Sequence, residues 1–116
     1  MLSFFSSLFS RTKKANQENN YQRGFEEYQK GCTLVDNKQD EEALLFFDIA
    51  INNGITEAFQ ERADSLKSLG FFIDAIKDYT KAIEINPTDC NLYFCRGVAR
   101  NAIGDLATAI SDMPGF

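Results

Sequence analysis

Displaced by 34 residues, the chain lands on itself: Phe59 falls on Tyr93, Arg62 on Arg96, Ala63 on Gly97, Gly70 on Gly104, Ala75 on Ala109 and Ile76 on Ile110. A displacement of 32 residues the other way lays Ala75 on Ala43, Tyr79 on Phe47, Ala82 on Ala50, Ala63 on Gly31 and Leu66 on Leu34. Self-similarity at such a spacing is the mark of a solenoid, in which no unit can bury its apolar face without a neighbour. From Tyr21 onward apolar residues recur at third and fourth positions, turn residues cluster at DNKQD, NNG, SLG, NPTD and IGD, and β-branched alternation is absent. Each unit therefore reads as a pair of helices, and the chain as all-α.

The spacing has a steric reason. Antiparallel helices approach closely only where one of them presents a small side chain, so Gly31, Ala63 and Gly97 are expected to face the alanines of the helices that follow them. Phe47 and Tyr79, each midway between two alanines, should wedge into the junction with the next unit. Pro87 cannot continue a helix and pushes Asn86 out of the helical region, which leaves Asp89 to cap the next one. Helices are expected at 21–35, 40–52, 56–69, 72–84 and 89–103, with a partial one from 105.

In the middle unit Phe59, Ala63 and Leu66 on the first helix, the turn residue Gly70, Phe72 opening the second helix, the Ala75–Tyr79–Ala82 ladder and Pro87 resemble the tetratricopeptide repeat (TPR) family, at that family's period. The resemblance runs from about Tyr21 to Asp112 and implies an α-α superhelix of about two and a half to three repeats, the last incomplete. Units fall at about 21–55, 56–89 and 90–116, behind an arm at 1–14 and a polar linker, ANQENN, at 15–20. The first unit has Asp40 and Ile55 where the aromatic and the closing proline belong, and the third has Arg100 where leucine is usual. Further on, Pro114 falls where Thr80 sits and Phe116 where Ala82 sits. The pattern is abandoned after Asp112, which predicts an open groove beside the third unit that invites self-association or a partner.

The arm differs in composition from everything after it. On a helical wheel Met1, Leu2, Phe4, Phe5, Leu8 and Phe9 share an arc of roughly 160°, with Ser3, Ser6, Ser7 and Ser10 opposite. Arg11, Lys13 and Lys14 follow. A secretory signal would place its positive charges first, and a membrane span would need about 20 apolar residues. Three readings stay open: a peripheral membrane-contact helix, a targeting segment, or an arm that is frayed or packed back on the domain.

A net charge of −5, from 12 Lys and Arg against 17 Asp and Glu, speaks against a nucleic-acid partner held by counterion release. Cys32, Cys90 and Cys95 are an odd number without CxxC spacing, and there is no histidine. They read as reduced, mostly packed thiols in a cytoplasmic setting, with no metal site, cofactor or disulfide framework. No phosphate loop and no GxSxG turn occurs, so no catalytic residue is assigned. The acidic clusters Glu26/Glu27 and Asp40/Glu41/Glu42 are expected at helix starts, where the dipole favours them.

The resemblance implies that the first helices of the units line a concave surface. It points to Tyr28 in the first unit, Glu57, Gln60, Glu61 and Asp64 in the second, and Asn91, Phe94 and Asn101 in the third. The Lys and Asn pair with which many TPR proteins hold a peptide carboxylate is missing, Tyr28 and Cys32 standing in its first places. An acidic strip flanked by aromatics suits instead a protein or peptide segment carrying Lys or Arg among apolar residues. The expected function is a non-catalytic interaction module. A membrane-associated or organelle-targeted adaptor, anchored through residues 1–14, is the alternative.

Overall fold

The computed structural model describes the backbone of residues 2–111 and the side chains of residues 17–107. Within them the chain forms five helices and no strand: α1 Leu2–Asp36, α2 Asp40–Asn52, α3 Ala58–Ser68, α4 Phe72–Ile85 and α5 Cys90–Ser111. Each packs on the next in chain order. The turns are those the sequence marks. Gly70, at φ 87°, occupies the left-handed region that glycine enters without steric cost, and the α2–α3 connection uses Gly54, at φ 92°, in the same way. Asp89 accepts a hydrogen bond from the Asn91 backbone N–H at 3.0 Å, capping α5.

Two buried clusters hold the stack. Ala43, Phe47, Ala50, Ile55 and Ala58 join α2 to α3, with Tyr28, Cys32 and Leu34 of α1 packed against them. Ala63, Ala75, Tyr79, Ala82, Ile83 and Leu92 join α3, α4 and α5, with Phe59, Leu66 and Cys95 at their margin. Phe47 and Tyr79 are fully buried, and both lie at junctions between units. A Cβ built on Gly31 would stand 2.6 Å from Cε1 of Phe47, so the ring occupies the space that this glycine leaves. Gly24, one heptad earlier, does the same for Asn53, whose Cβ would lie 2.6 Å from an added Cβ.

Five expectations need correction. The proposed linker at 15–20 is helical within α1, because it lacks Gly and Pro and consists of residues that a helix already nucleated downstream can run through. Glu26 and Glu27 therefore sit inside α1 rather than at its start, and Glu27 pairs with Lys30 at 2.9 Å. Gly104 does not turn: α5 continues through it, keeping the i→i−4 bonds that a turn would give up. Among the described residues, nothing consequently lies within 4 Å of a Cβ placed on Gly97. Among the cysteines, Cys90 is exposed, while Cys32 and Cys95 are half-buried.

The amphipathic segregation of residues 1–14 and the packing of Ala109 lie outside the described side chains, and Pro114 and Phe116 outside the described residues. No helix among the described residues is long and apolar enough to cross a membrane.

Candidate functional site

A cavity of about 310 Å³ opens between α1, α3, the end of α4 and the start of α5. Tyr28 forms one wall. Glu57, Gln60 and Glu61 form another, and Ile85 and Leu92 supply an apolar floor and rim. The i, i+3, i+4 spacing of Glu57, Gln60 and Glu61 at the start of α3 puts them on one face, and the turn at Gly54 between α2 and α3 brings that face toward Tyr28 of α1.

Glu61 and Asp64 are half-buried and Glu57 is exposed, and among the described residues neither Glu57 nor Glu61 forms an ion pair. Burial raises the Glu61 carboxyl above its ordinary range, and the negative charges of Asp64 and Asp36 add to the effect. Burial, Cys32 and Glu61 push the Tyr28 hydroxyl well up, and burial above all raises the Cys32 thiol. Asp64, one turn beyond Glu61, accepts a hydrogen bond from the Tyr79 hydroxyl. Burial and that bond hold the tyrosine protonated. Lys67 stands 5.7 Å from the centre of the same ring. A lysine or arginine brought to this groove would meet the Glu61 carboxylate, already partly withdrawn from solvent, a setting in which ion pairing is stronger than at an open surface. No group of three or more His, Cys, Asp or Glu among the described residues could hold a metal ion.

A family model described as tetratricopeptide repeat matches residues 78–111, from the middle of α4 to the end of α5. Among solved structures, the second TPR of Spaghetti (RPAP3), bound to the HSP90 peptide SRMEEVD, superposes with a TM-score of 0.72. The two are 24% identical, over 84% of this chain and 92% of that one. This is a tetratricopeptide repeat fold. No curated protein sequence matches the chain.

Within the TPR stack, Tyr28, Glu57, Gln60 and Glu61 meet in the one cavity, with Asp64 beside them on α3. Asn91, Phe94 and Asn101 lie on α5 outside it. Phe94 is 70% exposed, and the Asn91 amide oxygen lies 4.0 Å from Cys95 Sγ. Sequence reasoning missed Thr56, Ala82, Ile85 and Asn86, which also line the cavity. Counting positions only along the first helix of each TPR unit overlooks the last turn of the second helix. Pro87 stops α4 there and leaves Ile85 half-exposed at the groove edge. Arg62 was visible only as a repeated residue; its partners, Asp48 and Asp78, sit on two other helices.

Proposed function

We propose that this chain is a non-catalytic interaction module whose concave groove takes an extended or helical segment of a partner protein, with Lys or Arg set among apolar residues. One observation carries the reading: carboxylates of Glu57 and Glu61 share a cavity with Tyr28, Ile85 and Leu92, so charge and apolar surface are presented together. The Spaghetti relative was solved with a peptide, SRMEEVD, that is acidic toward its end. The groove here has the opposite preference, since Glu57, Glu61 and Asp64 would repel that end while a basic segment relieves their mutual repulsion.

Fluorescence anisotropy with two labelled peptides of equal length tests it, one alternating Lys with Leu and Phe, the other with Glu in place of Lys. The basic peptide is expected to bind about ten-fold tighter or better, and to weaken as salt rises. The E57Q/E61Q/D64N variant, which retains an oxygen for Tyr79, should lose the preference. Equal binding of the two peptides, or a preference for the acidic one, removes the proposal.

A further inference from the structure

Tyr21, Phe25 and Tyr28 follow one another on α1 at i, i+4 and i+7, so they share one face of the helix and climb about 10 Å along its axis. The Phe25 and Tyr28 rings lie 6.2 Å apart, centre to centre, and Tyr28 continues the series to the buried Phe47 at 6.1 Å. Exposure grows outward along this ladder: Phe47 is fully buried, Phe25 is 40% exposed and Tyr21 52%. Its foot is the cavity wall that Tyr28 presents to Glu57 and Glu61, while neither Phe25 nor Tyr21 lines that cavity.

The level at which the ladder leaves the stack is marked by Gly24. This residue, next to Phe25, is buried, and a Cβ added to it would meet Asn53 Cβ at 2.6 Å and Ile55 Cγ1 at 3.1 Å, so the α2–α3 connection packs against α1 there. Residues 17–23, which precede it on α1, are all exposed. Aromatic rings aligned along a helix beside a charged groove are the anchors that a helix-in-groove contact uses.

On the basis of the basic and apolar preference proposed for the groove, we infer that the segment it takes is an amphipathic helix lying along α1, with its apolar stripe on Tyr21, Phe25 and Tyr28 and a Lys or Arg flank toward Glu57 and Glu61. Rise per residue decides the form. The rungs are spaced by about 6 and 4.5 Å, steps that the i, i+4 and i+7 positions of a second helix repeat, whereas same-face residues of a strand recur every 6.7 Å or about that. A strand crossing the first helices of the units would occupy about 5 Å of the α1 axis and touch one rung. A helix also satisfies its own N–H and C=O groups, which an extended segment would press unpaired onto the rings. The charges agree, since Glu57 and Glu61 form no ion pair among the described residues and a basic flank supplies one.

Two labelled peptides of about 18 residues, five turns of helix, test this by fluorescence anisotropy on the full chain. One sets Leu at i, i+3, i+4 and i+7 with Lys along one flank; the other keeps every Leu and Lys but carries two prolines at outward positions, which forbid the helix. The helical peptide is expected to bind about ten-fold tighter or better, and to gain helical circular dichroism on binding. Y21S changes a half-exposed side chain, so the melting temperature should hold while affinity for the helical peptide falls about three-fold or more and affinity for the proline peptide stays. Equal binding of the two basic peptides, with both still preferred over their Glu-for-Lys counterparts, overturns the helix and leaves the basic preference of the groove standing; loss of that preference overturns both. Y21S binding the helical peptide at wild-type strength removes the ladder as its seat. A dimer of the chain that Y21S dissolves assigns the ladder to a second copy and overturns the proposal as well.

Discussion

Arg62 grips Asp78 with two parallel hydrogen bonds, Nε to Oδ2 at 2.7 Å and Nη2 to Oδ1 at 2.8 Å, while its remaining arm reaches Asp48 on α2. One side chain of α3 thereby ties the second helices of two successive repeats. The Asp78 side chain is 9% exposed and that of Arg62 is 24% exposed, so removing one member strands a charge short of water. D78A should cost about 2–3 kcal/mol in urea unfolding at neutral pH. R62K, which keeps the charge but not the planar fork, should fall between that variant and the wild type.

Two glycines on equivalent-looking helices should respond oppositely to alanine. At Gly31 the new methyl meets the Phe47 ring, and G31A should lose about 1–3 kcal/mol through overpacking. At Gly104 the backbone is helical and no described residue lies within 4 Å of an added Cβ, so G104A should gain up to about 1 kcal/mol. Thermal melts of both variants check this. A loss at Gly104 would mean that the chain turns there with positive φ.

Ser65 is buried on α3, and its hydroxyl finds no hydrogen-bond partner among the described residues. Such a group has given up water without compensation. S65A should therefore stabilise the chain by about 0.5–1 kcal/mol, with gains from both burial and helix propensity. Denaturant midpoints at unchanged slope would register it; a destabilised variant would show that the hydroxyl is satisfied in solution.

Glu61 sets a pH dependence. Its carboxyl is raised above the ordinary value of 4.5, first by burial and then by Asp64 and Asp36. The folded state thus holds this proton more tightly than the unfolded chain. The favourable contribution is full below the unfolded value and is lost as pH rises through the raised one, leaving a cost at neutrality. E61Q should accordingly be more stable than the wild type at pH 7, and the difference should close as the pH is lowered toward the ordinary glutamate range. Parallel urea titrations across that window measure it, and a constant offset would remove Glu61 as its source.

The helix pairs, the turn at Gly70, the stop at Pro87 and the buried Ala43, Ala75, Phe47 and Tyr79 were legible before any coordinates. Each rests on a local rule: helical period, φ freedom at glycine, the missing proline N–H, or a small residue where two rods touch. Tyr28, Glu57, Gln60 and Glu61 were equally readable as neighbours, because repeat positions carry over from unit to unit. Three features were decided only in three dimensions. α1 runs through the polar stretch at 15–20, because no residue there is costly enough to end a helix already formed. Arg62 finds its two carboxylates across gaps of 14 and 16 residues, a distance that local pattern does not span. Gly104 permits a turn or a straight helix, and which it adopts follows from how much packing a returning segment could recover. That balance is a sum over contacts between distant residues, and it belongs to the folded molecule rather than to any stretch of its sequence.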